Sequence, residues 1–174
     1  MIEFVPLDLN VHKKDFLLLN RETAEWHYDQ FKKQYDMDMH SYLGITPEDI
    51  ATSSLETYRN IKPPEGIFLL AYIDKKIAGM GAIRKLGNGL GEIKRMYNRS
   101  IFRGKGIGKK MVYHLLEKGN DYGCTWFALN TPKFAYAAQH IYKSVGFQLV
   151  DFIPEVDIGE PLRPYYLFME KKLT

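Results

Sequence analysis

The chain has a single cysteine, Cys124, among its 174 residues, so no intramolecular disulfide can form. Its five histidines are scattered, and no Cys/His spacing suggests a zinc site. No segment approaches the ~20 consecutive apolar residues of a membrane span. The N-terminal stretch MIEFVPLDLN lacks a charged head followed by a long apolar run. Neither sign of charge dominates: 24 Lys+Arg stand against 21 Asp+Glu, a net charge of +3. The basic clusters Lys75-Lys76 and Lys109-Lys110 are short. This dispersed excess suits small anionic ligands and speaks against nucleic acid or a membrane as partner. Repeats, low-complexity tracts and long linkers are missing too. These absences make a soluble cytoplasmic protein, free of metal and built as one domain over residues 1–174, the expectation.

What is present can build a core, since 45% of the residues are hydrophobic and 14% aromatic. A short strand is expected at about residues 2–6, then helices at roughly 12–35 and 47–60. Thr46 is a good N-cap for the second, with Pro47 at its first position. YDMDMHSYLGI between them reads as polar and irregular, and KPPEG (62–66) breaks the chain. IFLLAYI (67–73), IAGMGAI (77–83) and EIKRMYN (92–98) read as strands. Asp74-Lys75-Lys76 and the Asn-Gly of GNG (87–89) join them into an antiparallel meander.

The pattern then changes. Ile107, Met111 and Leu115 recur every four residues, with Val112 and Leu116 beside them, which is one face of a helix. CTWFALN (124–130) reads as a buried strand. Pro132 fits the first turn of a further helix, on which Phe134, Ala137, Ala138 and Ile141 share a face before Gly146. FQLVDF and YYLFMEKKL supply two last strands. Strands and helices in this order imply an α/β (α+β) fold, a mixed sheet covered by helices.

Chemistry concentrates in RGKGIGKK (103–110). A phosphate loop of the G-x-x-x-x-G-K-[ST] type fails twice here: Arg103 stands where the first glycine belongs, and Lys110 where Ser or Thr belongs. The dinucleotide pattern G-x-G-x-x-G fails as well, meeting Lys109 or Met111 at its sixth place. What remains is a slim strand-to-helix turn. Its backbone N–H groups and helix dipole favour negative charge, and Arg103, Lys105 and Lys109 add to it. Such a turn is preorganised for pyrophosphate.

EIKRMYNRSIFRGKGIGKKMVYHLL resembles the acetyl-CoA-binding motif of the GNAT N-acetyltransferase superfamily. Downstream, AYAAQHIYKSVGF resembles that family's A-x-x-x-Y-x-x-x-G-F motif, met by Ala138, Tyr142, Gly146 and Phe147. The resemblance covers residues 66–173 by motif and the N-terminal third by topology. It implies a mostly antiparallel sheet flanked by helices, with one parallel strand pair that splays apart. The pantetheine arm of acetyl-CoA would lie in that gap, pairing with the backbone of Met96, Tyr97 and Asn98. One N–H there would hold the thioester carbonyl oxygen. Arg103, Gly104, Lys105, Gly106, Ile107 and Gly108 would wrap the pyrophosphate with Lys109 nearby, and Asn130 would touch the arm or the acceptor. Tyr142 would be the general acid that protonates the leaving thiolate, and Glu92 a candidate general base for the amine.

The chain departs from the family pattern at three places. Asn98 replaces a small β-branched residue, Ser100 a frequent proline, and Ala135 a frequent asparagine. The acceptor is expected to be a primary amine, small or peptidic, and a homodimer is compatible with the family. Acids and aromatics in the N-terminal helices and late loops (Glu25, Trp26, Asp29, Tyr35, Asp36, Asp38, Asp151, Glu155 and Asp157) would suit a cationic amine. PEVDIGEPLRPYY (154–166) would border that site or a dimer contact. Cys124, His114 and His140 read as structural. A CoA-binding sensor without turnover is the alternative of another class, and a nucleotide-binding domain a third.

Overall fold

In the computed structural model, which describes residues 1–173, two tight turns set the central meander. Asp74 and Lys75 adopt φ values of 48° and 63°, and Asn88 and Gly89 adopt 51° and 74°. Two successive positive φ angles match the twist of antiparallel strands. They join β2 (Gly66–Ile73), β3 (Lys76–Gly87) and β4 (Leu90–Asn98). β1 (Ile2–Pro6) adds to β2, and beyond β4 lie β5 (Trp126–Pro132), β7 (Tyr166–Lys172) and β6 (Gln148–Val150). The sheet order is β1-β2-β3-β4-β5-β7-β6, antiparallel everywhere except between β4 and β5. The expected mixed, mostly antiparallel sheet is thus the one observed.

Helices cover both faces. α1 (Leu9–Tyr35) and α3 (Pro47–Tyr58) lie on one. α1 starts earlier than the expected residue 12, because the Asp8 side chain accepts from Asn10 N–H at 2.9 Å and caps it. α3 has the full capping box: Asp49 N–H donates to Thr46 Oγ1 at 3.1 Å, and Thr46 N–H to Asp49 Oδ2 at 2.8 Å. The stretch between them, expected to be irregular, holds a short helix, α2 (Met39–Leu43). The Asp38 carboxylate accepts from His40 and Ser41 N–H, and Gly44 stops the helix at φ 70°.

α4 (Ile107–Asp121) and α5 (Tyr136–Ser144) cover the other face. Met111, Val112 and Leu115 of α4 are fully buried, as their spacing requires. Burying each such side chain contributes about 2 kcal/mol. Pro132 does not open a helix: it is the last residue of β5, paired with Tyr166. Gln139 Nε2 donates to the carbonyls of Pro132 and Lys133, both at 3.0 Å, and so holds the turn that delays α5 to Tyr136.

The parallel pair decides where a ligand can enter. β4 and β5 pair only at Leu90↔Trp126, Gly91↔Phe127 and Glu92↔Ala128. Beyond Glu92 the register between β3 and β4 shifts, and Arg95 takes φ 54°, a β-bulge. A bulge bends its strand and increases its twist. From there to Asn98 and Pro132 the two strands run on without pairing, and they part into a fork.

Candidate active site

The fork opens into a cavity of about 660 Å³ lined by β4, β5, the start of α4, α5 and the middle of α1. Of the residues named from the sequence, Glu92, Met96, Tyr97, Asn98, Arg103, Gly104, Gly106, Ile107, Gly108, Lys109, Asn130 and Tyr142 line it. Lys105 does not; its ammonium sits over the Phe102 ring at 5.7 Å from the centroid.

At one end lies the glycine turn. Gly104 and Gly106 have φ values of 78° and 76°. Gly106 is the N-cap of α4 and contributes no side chain, so the first-turn N–H groups of the helix have no side-chain cap. Such N–H groups attract an anion. Gly108 serves packing instead: a Cβ there would stand 2.8 Å from Asn98 Nδ2 and 2.9 Å from Ile141 Cδ1. The Asn98 amide fills the space that Gly108 leaves. Its Oδ1 is buried without a hydrogen-bond partner among the described residues.

Along β4, Arg99 N–H donates to Ala78 O of β3 at 2.9 Å. Strand alternation therefore turns the backbone groups of Asn98 and Met96 into the fork and those of Tyr97 toward β3. The Tyr97 side chain lies on the α1 side, with its hydroxyl 3.4 Å from Glu22 Oε2. Burial, with the Glu22 carboxylate, pushes the Tyr97 phenol up to about 12. Glu22 is in turn held by Arg99 at 2.9 Å.

Tyr142 is 5% exposed and packs against Phe147 with ring centroids 5.9 Å apart. Its hydroxyl forms no hydrogen bond among the described residues, and burial raises its pKa well above the usual phenol value. The phenol is therefore protonated at neutral pH, and its proton is uncommitted. Glu92 is 2% exposed. Each of its oxygens meets a cation, Arg84 Nε at 2.6 Å and Lys94 Nζ at 3.1 Å. Asn130 Nδ2 donates to Val156 O and ties the end of β5 to the 154–166 connection. Ile158 of that connection reaches the cavity wall.

The α1 side of the cavity departs from expectation. Trp26 lines the cavity, but none of Glu25, Asp29, Tyr35, Asp36, Asp38, Asp151, Glu155 and Asp157 does. Asp36 is paired with Lys32, and Asp157 with Arg163, both at 2.6 Å; Asp38 caps α2. The wall consists instead of Thr23, Trp26, His27, Arg95, Phe134 and Tyr166; of these only Trp26 was singled out from the sequence for an acceptor, and Phe134 only as part of a helix face. Burial and the nearby Arg95 charge lower His27 to about 4, so its imidazole is neutral at pH 7. Periodicity could have placed Thr23, Trp26 and His27 on one face of α1. No sequence signal announces a bulge at Arg95.

Comparison with known proteins adds to this geometry. Residues 21–147 match the model of the Acetyltransferase (GNAT) family. An uncharacterized N-acetyltransferase of Bacillus subtilis (strain 168) is 35% identical over 129 residues, 73% of this chain and 81% of that protein. A GNAT-family acetyltransferase of Staphylococcus aureus superposes with a TM-score of 0.72 at 18% identity, over 100% of both chains. The PaiA N-acetyltransferase of Thermoplasma acidophilum, solved in complex with coenzyme A, gives 0.70 at 18% identity over 99% of both chains.

Proposed function

The chain belongs to the GNAT acetyltransferase family and is an acyltransferase, and we propose that it transfers an acetyl group from acetyl-CoA to a primary amine by direct attack in a ternary complex. One observation carries this reading. The uncapped N-terminus of α4 stands at the mouth of the β4–β5 fork, so a helix end suited to an anion and an unpaired strand edge share one cavity. The residues present fit the ligand: N–H groups without a cap, glycines without side chains and flanking cations at one end, free strand groups at the other.

When bound, acetyl-CoA supplies an activated acetyl group and a thiol leaving group. The N–H groups of residues 106–109 hold its pyrophosphate, aided by the Arg103 and Lys109 charges. Met96 and Asn98 pair with the arm as an added strand would. Tyr142 gives its proton to the departing sulfur, since the buried phenol is protonated and free of other partners. A lysine-like amine is neutral in only about one part in a few thousand at pH 7, a cost of roughly 4–5 kcal/mol that a base offsets. Glu92 is the only carboxylate on the cavity wall among the described residues, which supports it as that base. Arg84 and Lys94 fix it, so the proton reaches it through water. No helix among the described residues is long and apolar enough to cross a membrane.

The test is a panel of amines incubated with acetyl-CoA, read by thiol release and by acetyl mass gain on the acceptor. Both signals together support transfer. CoA binding without release for any amine would support the sensor reading instead.

A further inference from the structure

The cations around the acceptor half of the cavity are answered by carboxylates, with one exception. Arg84 and Lys94 share Glu92, and Arg99 holds Glu22. Arg95 has no carboxylate partner among the described residues. Its Nε reaches the Tyr58 hydroxyl at 3.3 Å, and its guanidinium lies 5.6 Å from the centroid of the same ring. A guanidinium carries five N–H donors in a planar fork. Most of these donors are uncommitted, and the residue lines the cavity.

The bulge explains its position. As the inserted residue of β4, with φ 54°, Arg95 leaves the strand's alternation and turns to the side covered by α1 and α3. It stands one residue before Met96, whose backbone faces the fork. The neutral His27 and the Tyr166 phenol both feel its charge. The wall of this half therefore carries an unopposed positive charge between aromatic sides. A simple cationic amine or a polyamine would be repelled there, because the one carboxylate on the wall among the described residues, Glu92, is already held by Arg84 and Lys94. An amine that brings its own carboxylate would satisfy the guanidinium by paired, charge-assisted hydrogen bonds.

We propose that Arg95 binds a carboxylate of the acceptor, so that the preferred acceptors are carboxylate-bearing amines such as free amino acids. This rests on the transferase reading above and narrows its substrate class. Removing a hydrogen bond to a charged group costs about 10- to 100-fold in affinity.

The test compares free L-amino acids with the matching amino-acid amides, which differ only at the carboxylate. The enzyme should prefer the acids over the amides by about 100-fold in kcat/KM. For Arg95→Gln the acid-to-amide ratio should collapse toward unity, and Arg95→Lys should retain part of it. The ratio does not depend on how much of a variant is folded. Equal use of acids and amides by the parent enzyme, or an unchanged ratio in Arg95→Gln, would overturn the proposal while leaving acetyl transfer intact. Calorimetry of N-acetyl amino acids against their amides, with CoA present, reads the same contact without turnover. Selective, Arg95-dependent binding of the acids with no transfer to any amine would sustain the carboxylate site and overturn the transferase reading. Lack of both would overturn both.

Discussion

Gly106→Val is the substitution whose effect follows most directly from backbone geometry. Gly106 has φ 76°, and a Cβ built on it would meet, beyond its chain neighbours, no atom of the described residues within 4 Å. The variant therefore creates no internal clash, and its protein-side cost is conformational. An L-residue held in the left-handed region pays about 1–2 kcal/mol, with a β-branched side chain at the upper end. If the turn must hold this conformation to present its N–H groups, CoA affinity falls by about 10- to 30-fold. The open space beside Gly106 is also where the pyrophosphate would lie, so the valine methyls push the loss further. Gly106→Asn separates the two effects, because asparagine tolerates the left-handed region. Urea unfolding should show Gly106→Asn closer to the parent than Gly106→Val, while calorimetry with CoA shows both weakened. A Kd for Gly106→Val within twofold of the parent would refute this assignment of the turn.

Other expectations use the same structure. Tyr142→Phe removes a hydroxyl that has no hydrogen-bond partner among the described residues, so the urea midpoint should hold while kcat falls by about 100-fold or more. An unchanged kcat would remove the general-acid role. Glu92→Gln takes the carboxylate from Arg84 and Lys94; because those side chains are 38% and 35% exposed and can turn to water, the stability loss should be only about 1–3 kcal/mol, measured by urea unfolding. The same variant should lower kcat most near neutral pH, where the amine most needs a base. His27 has a folded pKa of about 4, below its unfolded value of 6.5. The unfolded chain thus binds the extra proton first, and stability should decline as pH falls from about 6.5 to about 4. The full shift corresponds to about 3 kcal/mol, less for a half-buried ring near solvent. His27→Asn should flatten that slope in a urea series against pH, and an unaltered slope would assign it to other groups.

Much of the architecture was legible because it rests on local chemistry. Asn88-Gly89 and Thr46-Pro47 state their turn and cap outright, and the Ile107, Met111, Leu115 stripe states its buried face. The glycine-turn end of the cavity was legible for the same reason: the turn and the residues flanking it are contiguous in sequence. Pro132 misled because proline suits both a helix start and the last position of a strand, and only pairing with Tyr166 decides between them. α2 was missed because an Asp cap and a Gly stop around five residues look like a polar loop. The α1 side of the cavity was misread for a deeper reason. Acids along α1 and the late loops are plentiful, but burial and helix phase choose which residues face the cavity. They choose Thr23, Trp26 and His27. Arg95 enters only because a bulge breaks the alternation of β4.

Backbone amide hydrogen exchange with and without CoA tests the ligand's place in the fork most directly. Exchange should slow at residues 106–109 and at Met96 and Asn98, with β1 and β6 unaffected. Protection confined to other elements, or none at saturating CoA, would contradict the placement of the ligand in the β4–β5 fork.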